Sequence, residues 1–151
     1  MALSKRGQYW YGEAASDIRP VLDSLARAHG GAVSYYAEAL CCCGCREFGV
    51  ELAERRASAT LGCGDCDVKL HTGPVVPSVD DPSQTDTELC VCPCQCEFFE
   101  ACAAVVLSPG RRPRWFFLAL RCTNCGLVGG YADWALPPRA RRPIWRVVSQ
   151  A

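Results

Sequence analysis

The stretch that decides the reading is Cys41-Cys42-Cys43-Gly44-Cys45-Arg46-Glu47-Phe48, because it returns as Cys92-Pro93-Cys94-Gln95-Cys96-Glu97-Phe98-Phe99. The cysteines of a Cys-x-Cys-x-Cys run and the closing phenylalanine recur at a constant offset of 51 residues. Each run leads into an alternating segment, a turn, a second alternating segment and a Cys-x-x-Cys pair. That pair is Cys63 and Cys66 in the first copy and Cys122 and Cys125 in the second. The closing pairs lie 59 residues apart, so the second hairpin is the longer by eight.

The two hairpins differ in pattern. In the first, Phe48, Val50 and Leu52 alternate with polar residues, the chain turns around Glu54-Arg55-Arg56, and Ala57, Ala59 and Leu61 return. A period of two predicts strands with one wet face. In the second, Phe99, Ala101, Ala103, Val105 and Leu107 share one face, while Phe98, Cys102, Ala104 and Val106 share the other with Glu100. After the turn Ser108-Pro109-Gly110-Arg111-Arg112-Pro113, the return strand Trp115-Phe116-Phe117-Leu118-Ala119-Leu120 is apolar on both faces. Such a strand is covered on both sides. One cover is expected to be an N-terminal helix with Ser16 as its N-cap and Gly30-Gly31 ending it. Its Ile18, Val21, Leu22 and Leu25 form a single apolar stripe, with Asp23 and Arg27 on its outer face. The other cover is expected to be the first hairpin or a second copy of the chain. A further helical turn is expected over Ser34 to Leu40.

The chain of 151 residues holds 13 cysteines, 2 histidines and 1 methionine. An odd cysteine count argues against a purely disulfide framework, and the N-terminal segment offers no apolar signal-peptide core. The expected location is therefore the cytoplasm, where clustered Cys-x-Cys and Cys-x-x-Cys pairs are more often metal ligands than bridges. The repeat selects two quartets: Cys41, Cys43, Cys63 and Cys66 for one zinc ion, and Cys92, Cys94, Cys122 and Cys125 for a second. Both ions are expected to be structural. Cys42 and Cys45 compete for the first site, and Cys90 and Cys96 for the second. Cys102, on a strand, reads as a small buried hydrophobe, and His71 as a packed or surface histidine rather than a ligand.

Two knuckles joined by a hairpin and closing on one ion resemble the zinc-ribbon class, over residues 41–71 and 90–134. The run Cys41-Cys42-Cys43-Gly44 and the segment from Arg121 to Trp134 (Arg-Cys-x-x-Cys-Gly-Leu-x-Gly-x-Tyr-x-Asp-Trp) are also similar to uncharacterised bacterial proteins. The composition agrees with a GC-rich bacterial gene. The resemblance implies an α+β, mainly β fold: two zinc-ribbon-like β-hairpin modules with the N-terminal helix packed on them. The expected organisation is an N-terminal segment and helix (1–40), ribbon 1 (41–71), a polar linker (72–89), ribbon 2 (90–134) and an Arg/Pro tail (135–151).

Catalytic signatures are missing from the sequence: no Gly-x-Ser-x-Gly, His-Glu-x-x-His, phosphate loop or dinucleotide fingerprint is present. An all-cysteine zinc site is closed to substrate. The expectation is a protein that is not an enzyme. No stretch reaches the roughly 18–20 apolar residues of a membrane span, and no small-molecule substrate is suggested. The net charge of zero is unevenly placed. Residues 1–108 carry eight Lys and Arg against fifteen Asp and Glu, a net −7, and residues 109–151 carry eight Arg against Asp133, a net +7. Arg111, Arg112, Arg114 and Trp115 at the long hairpin, with Arg139, Arg141, Arg142 and Trp145 in the tail, are the candidate partner-binding residues. The expected function is a zinc-stabilised protein-interaction module of adaptor or immunity type, its partner another protein or a second copy in a homodimer. The alternative is a nucleic-acid-binding zinc ribbon using the arginines and tryptophans.

Overall fold

In the computed structural model, the described residues are 3–53, 58–66, 68–72, 87–136 and 145–150, with 146–150 described by backbone alone. In chain order they form β1 (Ser4–Arg6), β2 (Tyr9–Tyr11), a short 3-10 turn (Ala15–Asp17), α1 (Ile18–Ala28), β3 (Tyr35–Glu38), β4 (Phe48–Ala53), β5 (Ser58–Cys63) and β6 (Val68–Thr72). Next come β7 (Glu88–Leu89), β8 (Phe99–Leu107), β9 (Pro113–Cys122), β10 (Leu127–Ala135) and β11 (Arg146–Gln150). The fold is mainly β with one N-terminal helix. Every strand pairing is antiparallel, along the order β1-β2-β10-β9-β8-β4-β5-β6-β11, with β3 added on β8 and β7 on β4.

Both predicted hairpins form, β4–β5 and β8–β9, and each gains a third strand, β6 and β10. The halves join where Phe48 of β4 faces Phe99 of β8. These two residues occupy corresponding positions of the two cysteine-rich segments. Around this pair the chain exchanges strands reciprocally. β3, which precedes the first cysteine run, pairs with β8 of the second half, Glu38 facing Cys102. β7, which precedes the second run, pairs with β4 of the first half, Leu89 facing Glu51. The next hydrogen bonds repeat the relation: Ala39 N–H donates to Ala101 O at 3.0 Å, and Cys90 N–H to Val50 O at 2.8 Å. Donors and acceptors alike stand 51 residues apart.

One face of the joined sheet builds the larger core, in which Phe48, Val50 and Leu61 of the first half pack with Phe99, Phe116, Leu118 and Leu120 of the second. The first half thus covers one side of β9. The other side of β8–β9 is covered by α1: Ile18, Leu22 and Ala26 lie fully buried with Cys102, Ala104, Phe117 and Ala119. Complete burial of Phe117 contributes about 1.5–3 kcal/mol. Gly130 permits the close approach, since a Cβ there would lie 2.7 Å from Leu25 Cδ1.

The helix starts one residue later than expected. Asp17, not Ser16, flanks its first turn, and Asp17 Oδ2 accepts the Glu13 and Ala14 amides at 2.8 and 3.1 Å. At the other end Gly30 (φ +78°) follows His29. Gly31 N–H returns to Ala26 O and Gly30 N–H to Arg27 O, both at 3.0 Å, closing the final turn. Asp23 and Arg27 serve different partners: Asp23 accepts the Tyr36 phenol, and Arg27 donates to Ser24 Oγ.

One sequence expectation needs correction, and two segments given no elements of their own turn out to carry strands. Residues 34–40 hold a strand rather than a helical turn, because β3 completes its backbone hydrogen bonding on β8. Within the Arg/Pro tail, residues 146–150 form β11 on β6. The N-terminal segment, which has no clear period, forms the β1–β2 hairpin and docks through Tyr11 and Trp10 on β10. The turn at 54–57 and linker residues 73–86 lie outside the described residues.

Candidate metal centres

Each cysteine run folds as the same tight loop. Cys41 N–H donates to Cys45 O at 3.0 Å and Gly44 N–H to Cys41 O at 2.9 Å; Cys92 N–H donates to Cys96 O at 2.9 Å and Gln95 N–H to Cys92 O at 2.7 Å. The loop requires a left-handed residue at its fourth position, filled by Gly44 (φ +88°) in one copy and by Gln95 (φ +77°) in the other. The conformation brings alternate cysteines to one side, where they meet the Cys-x-x-Cys turn closing the hairpin. Gly64 N–H to Glu47 O at 3.1 Å and Thr123 N–H to Phe98 O at 3.2 Å tie that turn back to the strand entrance in both copies.

Two sulfur quartets result: Cys41, Cys43, Cys63 and Cys66, and Cys92, Cys94, Cys122 and Cys125. Within each, the sulfurs all lie within 4.8 Å of one another. The nearest contacts correspond across the copies. Cys41–Cys66 is 3.3 Å and Cys43–Cys63 is 3.6 Å; Cys92–Cys125 is 3.6 Å and Cys94–Cys122 is 3.5 Å. A tetrahedral ion with metal–sulfur bonds of about 2.3 Å sets its sulfurs about 3.8 Å apart, so both quartets suit a metal ion. The same eight cysteines were selected by spacing, and each quartet draws its ligands from its own copy. All thirteen thiols are free, Cys63 and Cys66 included. One knuckle thiol of each quartet (Cys41, Cys92) and the first of each closing pair (Cys63, Cys122) are buried, while Cys43 and Cys94 face solvent.

Amide donors point at the sulfurs. Asp65 N–H lies 3.4 Å from Cys63 Sγ and Cys125 N–H lies 3.5 Å from Cys122 Sγ. Asn124 Nδ2 donates to Cys94 Sγ at 3.6 Å, and with the Cys96 backbone amide it lowers the Cys94 thiol to about 6, while burial pushes the neighbouring Cys92 and Cys122 thiols up. Asn124 is a contributor that spacing alone did not reveal.

The five remaining cysteines divide into three kinds. Cys45 and Cys96 occupy corresponding places beside the quartets; Cys45 Sγ accepts Glu47 N–H at 3.3 Å, and Cys96 Sγ lies 3.7 Å from Thr123 Oγ1. Cys42 is exposed. Cys90 and Cys102 are buried, and burial pushes their thiols up to about 11 and about 12, so both remain neutral. His71 is a core residue, 3% exposed, with Nδ1 3.2 Å from Thr60 Oγ1.

The candidate partner-binding residues do not form one group. Arg111, Arg112 and Arg114 are exposed at the tip of the long hairpin. Trp115 is built into the fold: it stacks near Phe117 at 6.4 Å between ring centroids and lies 4.8 Å from His29. Trp145 packs against the larger core and donates its Nε1–H to Ala37 O at 2.9 Å. Arg139, Arg141 and Arg142 lie outside the described residues. Among the described residues, the exposed large apolar side chains fall in two places: Tyr9 (49%) and Trp10 (39%) on β2, and Leu40 (52%), Leu89 (50%), Val91 (43%) and Phe98 (45%) near the cysteine runs in the sequence. Leu40 and Val91 immediately precede Cys41 and Cys92, so extending the repeat by one residue backwards finds them. Comparison with known protein families, curated proteins and solved structures gives no match for the chain.

Proposed function

We propose that the chain is a non-enzymatic, zinc-stabilised interaction module, made of two zinc-ribbon-like units, that works in a reducing compartment such as the cytoplasm and binds another protein. The observation that carries this reading is the pair of all-thiol quartets. Four thiolates complete the tetrahedral shell of zinc, leave no position for substrate water, and make the ion a fold-stabilising element. Soft sulfur donors in a tetrahedral set favour zinc over the hard cations calcium and magnesium. The exposed Leu40, Leu89, Val91 and Phe98 are the partner surface in this reading, because covering exposed apolar side chains is favourable.

The protein-partner reading is favoured over nucleic-acid binding because Trp115 and Trp145 pack within the fold, which takes from the C-terminal arginines the tryptophans that the second reading assigns them; Tyr9 and Trp10, exposed beside Lys5, are aromatic groups that stay open. Filter binding to random RNA and DNA across a salt series tests the choice. The proposed function predicts weak binding. Tight binding that falls steeply with salt, and that is lost on replacing Arg111, Arg112 and Arg114 by Ala, would establish the nucleic-acid alternative.

A further inference from the structure

We propose that the two metal centres fill and empty as a pair, because each cysteine knuckle is suspended between the two halves of the molecule. The proposal rests on the zinc-binding reading above and adds a property of those sites that no single quartet would have. The first knuckle, residues 41–45, is entered from β3, which is hydrogen-bonded to β8 from Tyr35↔Val105 to Glu38↔Cys102. It leaves into β4, whose hairpin partner β5 ends in the ligand Cys63. An ion at the first site therefore ties a strand seated on the second half to the hairpin of the first. The second knuckle, residues 92–96, is entered from β7, which is seated on β4 by Glu51↔Leu89 and Leu52↔Glu88. It leaves into β8, whose partner β9 ends in the ligand Cys122.

The ties are reciprocal. Removing the first ion releases β4–β5 from its own knuckle, and β4 is the strand that seats β7 at the entrance to the second knuckle. Removing the second ion releases β8–β9, and β8 seats β3 at the entrance to the first. A direct contact adds to this. Phe98, at the exit of the second knuckle, lies against the first site's closing turn, where a Cβ on Gly64 would stand 3.3 Å from the Phe98 ring. Phe48 and Phe99, both fully buried, then join the halves in one register pair. Each ion thus holds in place part of the frame that presents the other's ligands. This is a coupling free energy between two sites, and it acts equally in both directions.

The test is a zinc titration of the metal-free, reduced full-length chain followed by native mass spectrometry, with a zinc-buffering chelator setting the free metal. Independent equal sites would place about half of the chains in the one-zinc form at half loading. Coupled loading predicts a one-zinc form well below that share, with metal-free and two-zinc chains dominating. The variant Cys63→Ser, which removes a ligand from the first site only, should weaken zinc binding at the second site at least tenfold in chelator competition. The wild-type titration needs no variant, so it decides the matter even if Cys63→Ser does not fold. A one-zinc form at or above half of the chains overturns the coupling and leaves the zinc-binding reading standing. A chain that takes up no zinc overturns both.

Discussion

The two cysteine-rich halves use corresponding positions for opposite purposes on their outer face. In the first half, Gly49 and Glu51 on β4, Thr60 and Gly62 on β5 and Lys69 on β6 leave that face polar and partly or fully exposed. The corresponding residues of the second half are Glu100, Cys102, Ala119, Arg121 and Val128, and α1 packs on Cys102, Ala119 and Val128. The loops that hold the quartets have the same hydrogen bonds in both halves, and the faces behind them do not. The cysteine loop and the packing of the hairpin are therefore separable choices: cysteine spacing sets one and side-chain polarity the other. The glycine pair of the first half becomes the Glu100–Arg121 ion pair of the second, and Arg121 Nε also donates to Gly12 O at 2.8 Å. That clamp fastens the segment leading to α1, so the second half alone carries the helix.

The contrast is broken most severely by charging the covered face. Ala119→Asp places an unpaired carboxylate beneath α1 and should cost about 3–5 kcal/mol. Thr60→Asp, at the corresponding partly exposed place, forfeits the contact with His71 Nδ1 and should cost about 1–2 kcal/mol. Urea midpoints of the zinc-saturated proteins measure the difference, and equal losses would mean that α1 does not cover β9 as described. Arg121→Ala comes next. Deleting a largely buried guanidinium that serves Glu100 and Gly12 should remove about 2–3 kcal/mol and speed amide exchange at Gly12; an unchanged Gly12 exchange rate would show that the clamp does not hold the N-terminal segment.

A smaller pair of changes sharpens what the halves share. Gln95→Gly relieves a left-handed non-glycine residue and should stabilise the second loop by about 1 kcal/mol, whereas Gly44→Ala should weaken the first by about 1–2 kcal/mol. Shifts of the same sign would show that the loops differ. The smallest effect is chemical. In the folded zinc-loaded protein, iodoacetamide at neutral pH should label Cys42 and spare Cys90 and Cys102, whose burial keeps them protonated up to about 11 and about 12. Peptide mapping reads this directly, and rapid labelling of Cys102 would place it outside the core.

The parts of this structure visible in the sequence are the local ones. The period of two marks β4 and β5, the residues sharing each face of 98–107 mark β8, and the doubly apolar run at 115–120 announces β9 as a strand covered on both sides. The matched offsets separated eight candidate ligands from thirteen cysteines, because a metal loop is a short-range object with a repeated spacing. The remainder depends on pairing between distant segments. Tyr35–Glu38 carries no strand signature of its own and becomes β3 through β8, some 65 residues away in the chain. Glu88–Leu89 is a two-residue strand inside an acidic linker. Neither the strand exchange nor the meeting of Phe48 with Phe99 leaves any periodic mark, and the tryptophans that looked free for a partner are taken up by packing that only the assembled sheet creates.

The central claim, that each quartet holds one zinc ion through four sulfurs, is tested most directly by zinc K-edge X-ray absorption on the purified full-length chain with metal quantified on the same sample. The account predicts two zinc ions per chain, each with four sulfur neighbours at about 2.3 Å and no nitrogen or oxygen in the first shell. A stoichiometry below two, a nitrogen ligand such as His71, or a Cys63–Cys66 disulfide in the reduced protein would contradict it.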